Sequence, residues 1–415
     1  MEKIDTVVVG AGQGGIATSE HLRAQGIAHV VLERGRIAER WHSERWDSLV
    51  ANGPAWHDRF PNMEFSCDAD AFADKNTVAR YFEDYARMID APIRTHVSVE
   101  AATPHVGRAG FHLRTSEGEI EAQHLVCATG PFQKPAIPPI IPEGAPVAQM
   151  HSTAYRNPGA LADGAVLVIG GGSSGSQIAA ELNAAGREVY FSIGPHDRPP
   201  RRYRGRDNVW WLGVLGIWNM DTPAAGAEHV TIAVSGAHGG KTVDFRQLAA
   251  QGITLLGMST GYESGVLQIA DDLKANLDAG DANNHALLAA ADDYVARHSL
   301  DLPEEPEAWD IPDDPACVTD PIRSLDLEAR GISTIIWATG FRFDYGWLKA
   351  DTRDAAGKPI HKRGVSPVPG LYFVGLPWQS RRGSSFIWGV WHDAKFVVDQ
   401  IAIQKNYMAY HHAQV

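Results

Sequence analysis

Hydrophobic positions along the chain fall into two runs of one design. Thr6 to Val9 is a short β-branched run that predicts a strand, and Gly10-Ala11-Gly12-Gln13-Gly14-Gly15 follows it directly. Ile16 to Gln25 predicts a helix, Gly26 stops it, and His29 to Leu32 predicts a second strand with Glu33 at its end. The design returns after residue 160. Apolar Ala165 to Ile169 leads into Gly170-Gly171-Gly172-Ser173-Ser174-Gly175, then a helix over Gln177 to Ala185, Gly186, and a strand over Glu188 to Ser192. Strands alternating with helices predict parallel α/β sheets. A second duplication supports the first: apolar His124 to Cys127 runs into Ala128-Thr129-Gly130, and Ser333 to Trp337 runs into Ala338-Thr339-Gly340.

Two further helices follow from spacing. Val78, Tyr81, Phe82, Tyr85 and Ile89 mark one, and Phe386, Val390, Ala394, Val397 and Ile401 mark another near the end. Pro131, Pro135, Pro138, Pro139 and Pro142 read as a linker leaving the first domain. The stretch from about 213 to 330, with its Trp-rich start, reads as part of the second domain plus an excursion that covers an active site.

Composition narrows the function. Lys and Arg number 37 against 50 Asp and Glu, a net charge of −13, which disfavours a nucleic-acid partner. No apolar run reaches transmembrane length, and no charged-then-apolar leader opens the chain, so the expectation is a cytoplasmic protein without a membrane partner. Cys67, Cys127 and Cys317 are far apart and form no CxxC. The 18 histidines include no HExxH and no Cys/His cluster, so no metal site is expected, and no GxSxG nucleophile turn is present.

The glycine runs carry the chemistry. In a strand–turn–helix, Gly10 permits the tight turn, Gly12 lets a pyrophosphate approach backbone, and Gly15 lets helix and strand pack closely. The N–H groups of the helix start then face the phosphate. Glu33 stands 23 residues after Gly10, where a carboxylate binds ribose hydroxyls and repels a 2′-phosphate. The first site therefore suits FAD or NAD. The second turn uses Gly170, Gly172, Ser173, Ser174 and Gly175, but its strand ends Ser192-Ile193 with no acid. Arg198, Arg201, Arg202, Arg204 and Arg206 follow, and a guanidinium fork matches a phosphate, so this site suits NADPH. Arg201 and Arg202 are the expected 2′-phosphate contacts. FAD and NADPH in one chain imply hydride transfer from nicotinamide to flavin.

These motifs resemble the class B single-component flavoprotein monooxygenases, which include flavin-containing, YUCCA-type and Baeyer–Villiger enzymes. The likeness covers almost the whole chain. His151-Ser152-Thr153-Ala154-Tyr155 resembles the tail of the family fingerprint FxGxxxHxxxY, although Gly144 lies seven residues before His151 rather than four. Tyr155-Arg156 stands where Baeyer–Villiger enzymes show Trp-Pro, which lowers ketone-to-ester chemistry. The resemblance implies two Rossmann-like domains, the NADP domain inserted into the FAD domain. The expected partition is 1–155 and 329–415 for FAD and 156–328 for NADP. It implies flavin contacts at Gln13, Gly14, Arg34 and Arg40, at Trp41, Trp46 and Val97, and at Thr129 and Gly130. Gly340, Gly375 and Gln379 are added near the end, with Arg382 or Ser384 at the last helix.

Asn52 in Asn52-Gly53-Pro54 is, by the same resemblance, the catalytic candidate. The implied reaction is insertion of one atom of O2, through a flavin C4a-hydroperoxide, into a small organic substrate of N-, S- or indole type. A homodimer is compatible with it. A flavin-dependent NADPH oxidase or reductase, a Baeyer–Villiger enzyme and a non-catalytic flavin-binding regulator are the alternatives. Trp210, Trp211, Trp218, Trp388 and Trp391 read either as core, the commoner place for large aromatics, or as the lining of an aromatic substrate pocket.

Overall fold

A computed structural model describes residues 1–224 and 231–410. The chain opens with β1 (Glu2–Val9), α1 (Gln13–Ala24) and β2 (His29–Leu32). The helix α2 (Lys75–Met88) follows, then strands β3 (Ile93–Arg94), β4 (Val99–Pro104), β5 (Phe111–Thr115) and β6 (Gly118–Cys127). A second series holds β7 (Ala148–His151), β8 (Ala165–Ile169), α3 (Ser173–Ala184), β9 (Val189–Ser192), β10 (Thr254–Leu256), the long α4 (Leu273–His298) and β11 (Ile332–Trp337). The chain then returns with β12 (Leu371–Phe373) and closes on α5 (Ile387–Ala409).

Hydrogen bonding sorts these strands into two main sheets. The first runs β3-β2-β1-β6-β5-β4, and β12 pairs with β6. Its centre is parallel and its β4-β5-β6 flank is antiparallel. The second runs β10-β9-β8-β11-β7 and is parallel throughout. All five of its strands lie in sequence between β6 and β12, so the chain leaves the first sheet, builds the second, and comes back. Ala148–His151, within the expected span 1–155, and Ile332–Trp337, within 329–415, are both strands of the second sheet. Continuous apolar strands such as Ala165–Ile169 are buried on both faces, as a parallel sheet requires.

Both Gly-rich turns close in the same way. The amide of Gly10 donates to Leu32 across the turn (2.8 Å), and that of Gly170 donates to Ser192 (2.9 Å). Gly10 has φ +105° and Gly170 φ +118°, a region favouring glycine. The repeated Ala-Thr-Gly gains a physical reason here. A Cβ on Gly10 would lie 2.8 Å from the carbonyl oxygen of Ala128, and one on Gly170 would lie 2.4 Å from that of Ala338. At the helix the approach is closer still: a Cβ on Gly15 would fall 1.8 Å from Gly10 O, and one on Gly175 would fall 1.9 Å from Gly170 O.

Those distances generate a contrast. Gly15→Ala and Gly175→Ala should each destabilise the chain by about 3 kcal/mol, because backbone must move to admit the methyl group. Gly12→Ala should fold normally, since nothing lies within 4 Å of its Cβ position. Thermal melts of the three purified variants check this.

Candidate cofactor and active site

The C-terminal ends of β1, β2, β6 and β12 converge on one cleft of about 370 Å³, with Val9, Leu32, Ala128 and Val374 on its wall. An open α/β sheet binds ligands at this edge. Gly10, Gly12, Gln13 and Gly14 line it, and α1 starts at Gly12 with no side chain capping its free N–H groups. Glu33 is already anchored: Oε2 accepts from Ala11 N and Oε1 from Gly35 N, each at 2.8 Å. Each oxygen keeps a lone pair for a hydroxyl. The expected Arg34, Arg40, Trp41, Val97, Thr129, Gly130 and Gly375 all line the same cleft. Gly15 works by packing and not by contact with the cleft.

Sequence reasoning missed Arg45, Phe132, Gln133 and Trp347 on this wall. Arg45 lies over Trp41 (5.6 Å) and Phe132 (5.5 Å), and burial pulls its pKa down to about 10. Gln133 donates to Thr129 Oγ1 and Gly130 O, fixing the Ala-Thr-Gly turn from behind. Only Arg45, between the expected contacts Trp41 and Trp46, carried a usable signal. The others arrive from loops that folding brings together. Gln13 reaches Ser385 O (2.6 Å), joining the start of α1 to the approach of α5.

Several expected contacts fall elsewhere. Trp46 is 4 % exposed and packs in the core of the second sheet. Gln379 does not line the cleft; its Oε1 accepts from Leu376 N, and its Nε2 is buried without a partner. Gly340 meets His151, whose Nε2 bonds its carbonyl at 3.0 Å.

The second turn is covered rather than open. Ile232 O accepts from both the amide (2.8 Å) and the hydroxyl (2.9 Å) of Ser173, and Ser173 Oγ accepts from Val234 N. Residues 231–234 thus lie across the turn formed by Gly170, Gly172, Ser173, Ser174 and Gly175. Ser192 faces inward and donates to Gly257 O. The arginine cluster is largely spent within the protein. Arg198 pairs with Asp244 and Asp281 inside the fold, and Arg204 pairs with Asp292. Arg201, expected to contact a 2′-phosphate, is 1 % exposed, forks onto Asp207 and lies over Phe72 at 4.7 Å. Arg202 remains exposed.

Arg201 instead reaches the candidate catalytic turn, donating to Asn52 O. Asn52 Oδ1 accepts from Gln177 Nε2 at 2.9 Å. Gly53 is pressed by Asp58, whose carboxylate carbon would lie 2.5 Å from a Cβ there. Asp58 bonds His57 Nδ1 at 2.8 Å, and the His57 ring stacks on Trp218 (5.6 Å) and meets Trp388 edge-on (5.2 Å). The five tryptophans therefore split. Trp218 and Trp388 gather at His57, Trp210 and Trp211 pack together beside Tyr203, and Trp391 bonds Glu20.

No dithiol stands in either site. All three cysteines are free, and burial pushes the Cys127 thiol pKa up, which suppresses its thiolate. Among the described residues no group of three His, Cys, Asp or Glu is placed to hold a metal ion. Nor, among them, is any helix long and apolar enough to cross a membrane.

Comparison with known proteins agrees with the geometry. Residues 7–204 match the family described as pyridine nucleotide-disulphide oxidoreductase. A CzcO-like oxidoreductase of Geobacillus kaustophilus is 33 % identical over 402 residues, 96 % of this chain and 98 % of that protein. Indole-3-pyruvate monooxygenase YUCCA1 of Oryza sativa is 31 % identical over 404 residues, covering 91 % and 88 %. A flavin-containing monooxygenase from Stenotrophomonas maltophilia shares the fold, with TM-score 0.68 at 20 % identity over 99 % of this chain and 100 % of that one.

The two arginines kept apart above should respond differently to truncation. Arg201→Met strands the Asp207 carboxylate, whose side chain is 12 % exposed, and should cost about 3–5 kcal/mol. Arg202→Met should change stability by less than about 0.5 kcal/mol. Denaturant midpoints check both.

Proposed function

This chain belongs to the family of the CzcO-like oxidoreductases and the YUCCA monooxygenases, and from that premise we propose that it is an FAD-containing, NADPH-dependent monooxygenase. The observation that carries this is the cleft at the first turn: an uncapped helix start, a doubly anchored Glu33, and a cationic, aromatic wall at Arg45 and Trp41. These residues fit FAD. The N–H groups of Gln13 and Gly14 would hold the pyrophosphate, Glu33 the adenosine ribose, and the Arg45 side the isoalloxazine. Bound there, the flavin would supply electron transfer from the nicotinamide and activation of O2.

In this reading the FAD unit comprises the first sheet with α5, and the NADP unit is the second sheet inserted between β6 and β12. NADPH would be held at the second turn by the start of α3, where the Ser173 amide is bonded to Ile232 O, and would supply the hydride. The same requirement of a dry, polar, pre-arranged site that governs oxygen insertion falls to this chain's own residues. Asn52 offers its amide at the junction of the two units. His57, Trp218 and Trp388 form the aromatic wall for a small nucleophilic substrate, an amine, sulfide or indole-type acid. A reducing cytoplasm fits three unpaired cysteines.

The test begins with colour. Full-length protein should bind FAD, bleach with NADPH, and place one atom of labelled O2 into a member of a panel of amines, sulfides and indoles. Glu33→Ala should weaken FAD tenfold to a hundredfold, about 1.5–3 kcal/mol, in a fluorescence titration. Protein that takes up no flavin overturns the proposal, and flavin reduction that yields only hydrogen peroxide across the panel leaves an NADPH oxidase.

A further inference from the structure

Gln177 is 8 % exposed and lies on α3, one turn beyond the second glycine-rich bend. Its Nε2 makes two hydrogen bonds, one to Val234 O at 3.3 Å and one to Asn52 Oδ1 at 2.9 Å. The first decides how the amide must stand. A backbone carbonyl only accepts, so Gln177 has to present its NH2 end to Val234. The remaining N–H of that NH2 then points at Asn52 and requires an acceptor. Asn52, an exposed residue, is thereby turned with Oδ1 toward Gln177, and its own NH2 is directed away from Gln177. Arg201, held by Asp207, fixes the Asn52 carbonyl at the same time. Asn52 is therefore gripped at both of its oxygens.

We infer that Gln177 is a positioning residue, which sets Asn52 as a hydrogen-bond donor and ties it to residues 231–234 across the second turn. The inference rests on the monooxygenase reading of Asn52 given above. It goes further in assigning the polarity of the Asn52 amide and the residue that imposes it. The wiring also joins the two half-sites. The segment that covers Ser173 and the amide that aims Asn52 are held by one side chain, so a dinucleotide that moves Val234 alters the partner of Asn52.

The experiment inverts the donor. Gln177→Glu replaces the NH2 by an acceptor and forces Asn52 to turn its Nδ2 inward. Gln177→Met, of similar length, removes both bonds. The readouts are NADPH consumption under air without substrate, with hydrogen peroxide formed, and hydrogen exchange of residues 47–58 in the full chain without NADPH. Asn52→Ala should raise substrate-free NADPH consumption about tenfold, the size of one lost hydrogen bond. Gln177→Glu should match it, and Asn52→Ala with Gln177→Glu should be no faster than either alone. Exchange over 47–58 should quicken in Gln177→Met and not in Arg202→Met.

Multiplying effects in the double variant, or a wild-type rate in Gln177→Glu beside a fast Asn52→Ala, overturns the role of Gln177 alone. A wild-type rate in Asn52→Ala removes the catalytic reading of Asn52 and the positioning role with it. Loss of folding in Gln177→Met leaves the decision with Gln177→Glu, which keeps the shape of glutamine.

Discussion

At two places in this protein a carbonyl oxygen occupies the space of a side chain. Gly10 O lies where Gly15 would carry its Cβ, and Gly170 O lies where Gly175 would carry its own. That approach brings each helix start down onto the end of its strand. It leaves the first amides of the helix facing the edge of the sheet, where a ligand's charge is met by fixed N–H groups. The Ala-Thr-Gly segments close the same knot from the other side, since the carbonyls of Ala128 and Ala338 press on Gly10 and Gly170. Strand order, cleft position and helix direction all follow from this packing.

Twin turns have been put to unequal use. At the first, the amides of α1 open onto a cleft and Glu33 waits between two backbone donors. At the second, the protein's own carbonyl at Ile232 satisfies Ser173, and no carboxylate stands at the strand end. The difference is one of solvation. A helix start without a partner must be met by water or ligand, whereas one met by backbone is already satisfied and yields only to a stronger acceptor. A phosphate is such an acceptor.

The space between the two sheets is where distant pieces of chain meet. Asn52 comes from the stretch between β2 and α2, Gln177 from α3 and Arg201 from the chain after β9, with His57, Trp218 and Trp388 close to the same turn through Asp58 and Gly53. Asn52 is exposed and Gln177 is 8 % exposed, so the contact is held from the Gln177 side, whose amide would lose an acceptor if Asn52 turned. The charged pair Arg201–Asp207 also holds the loop that carries Asn52, since the same guanidinium donates to Asn52 O.

What the amino-acid order decided by itself was local and periodic. Glycine spacing, β-branched runs and helical stripes specify strand, turn and helix without reference to the rest of the chain, so both turns, Glu33 and the last helix were legible. The arginines after Ser192 were not, because sequence shows a charge without showing its partner. Asp207, Asp244, Asp281 and Asp292 claim three of the five once the fold is made. Which tryptophans would gather was not legible for the same reason, since burial depends on which helices meet. Tertiary structure alone decided that β7 and β11 join the second sheet, that residues 231–234 cover its turn, and that Gln177 faces Asn52. Each of these is a contact between segments far apart in sequence, and closing such loops leaves no periodic mark along the chain.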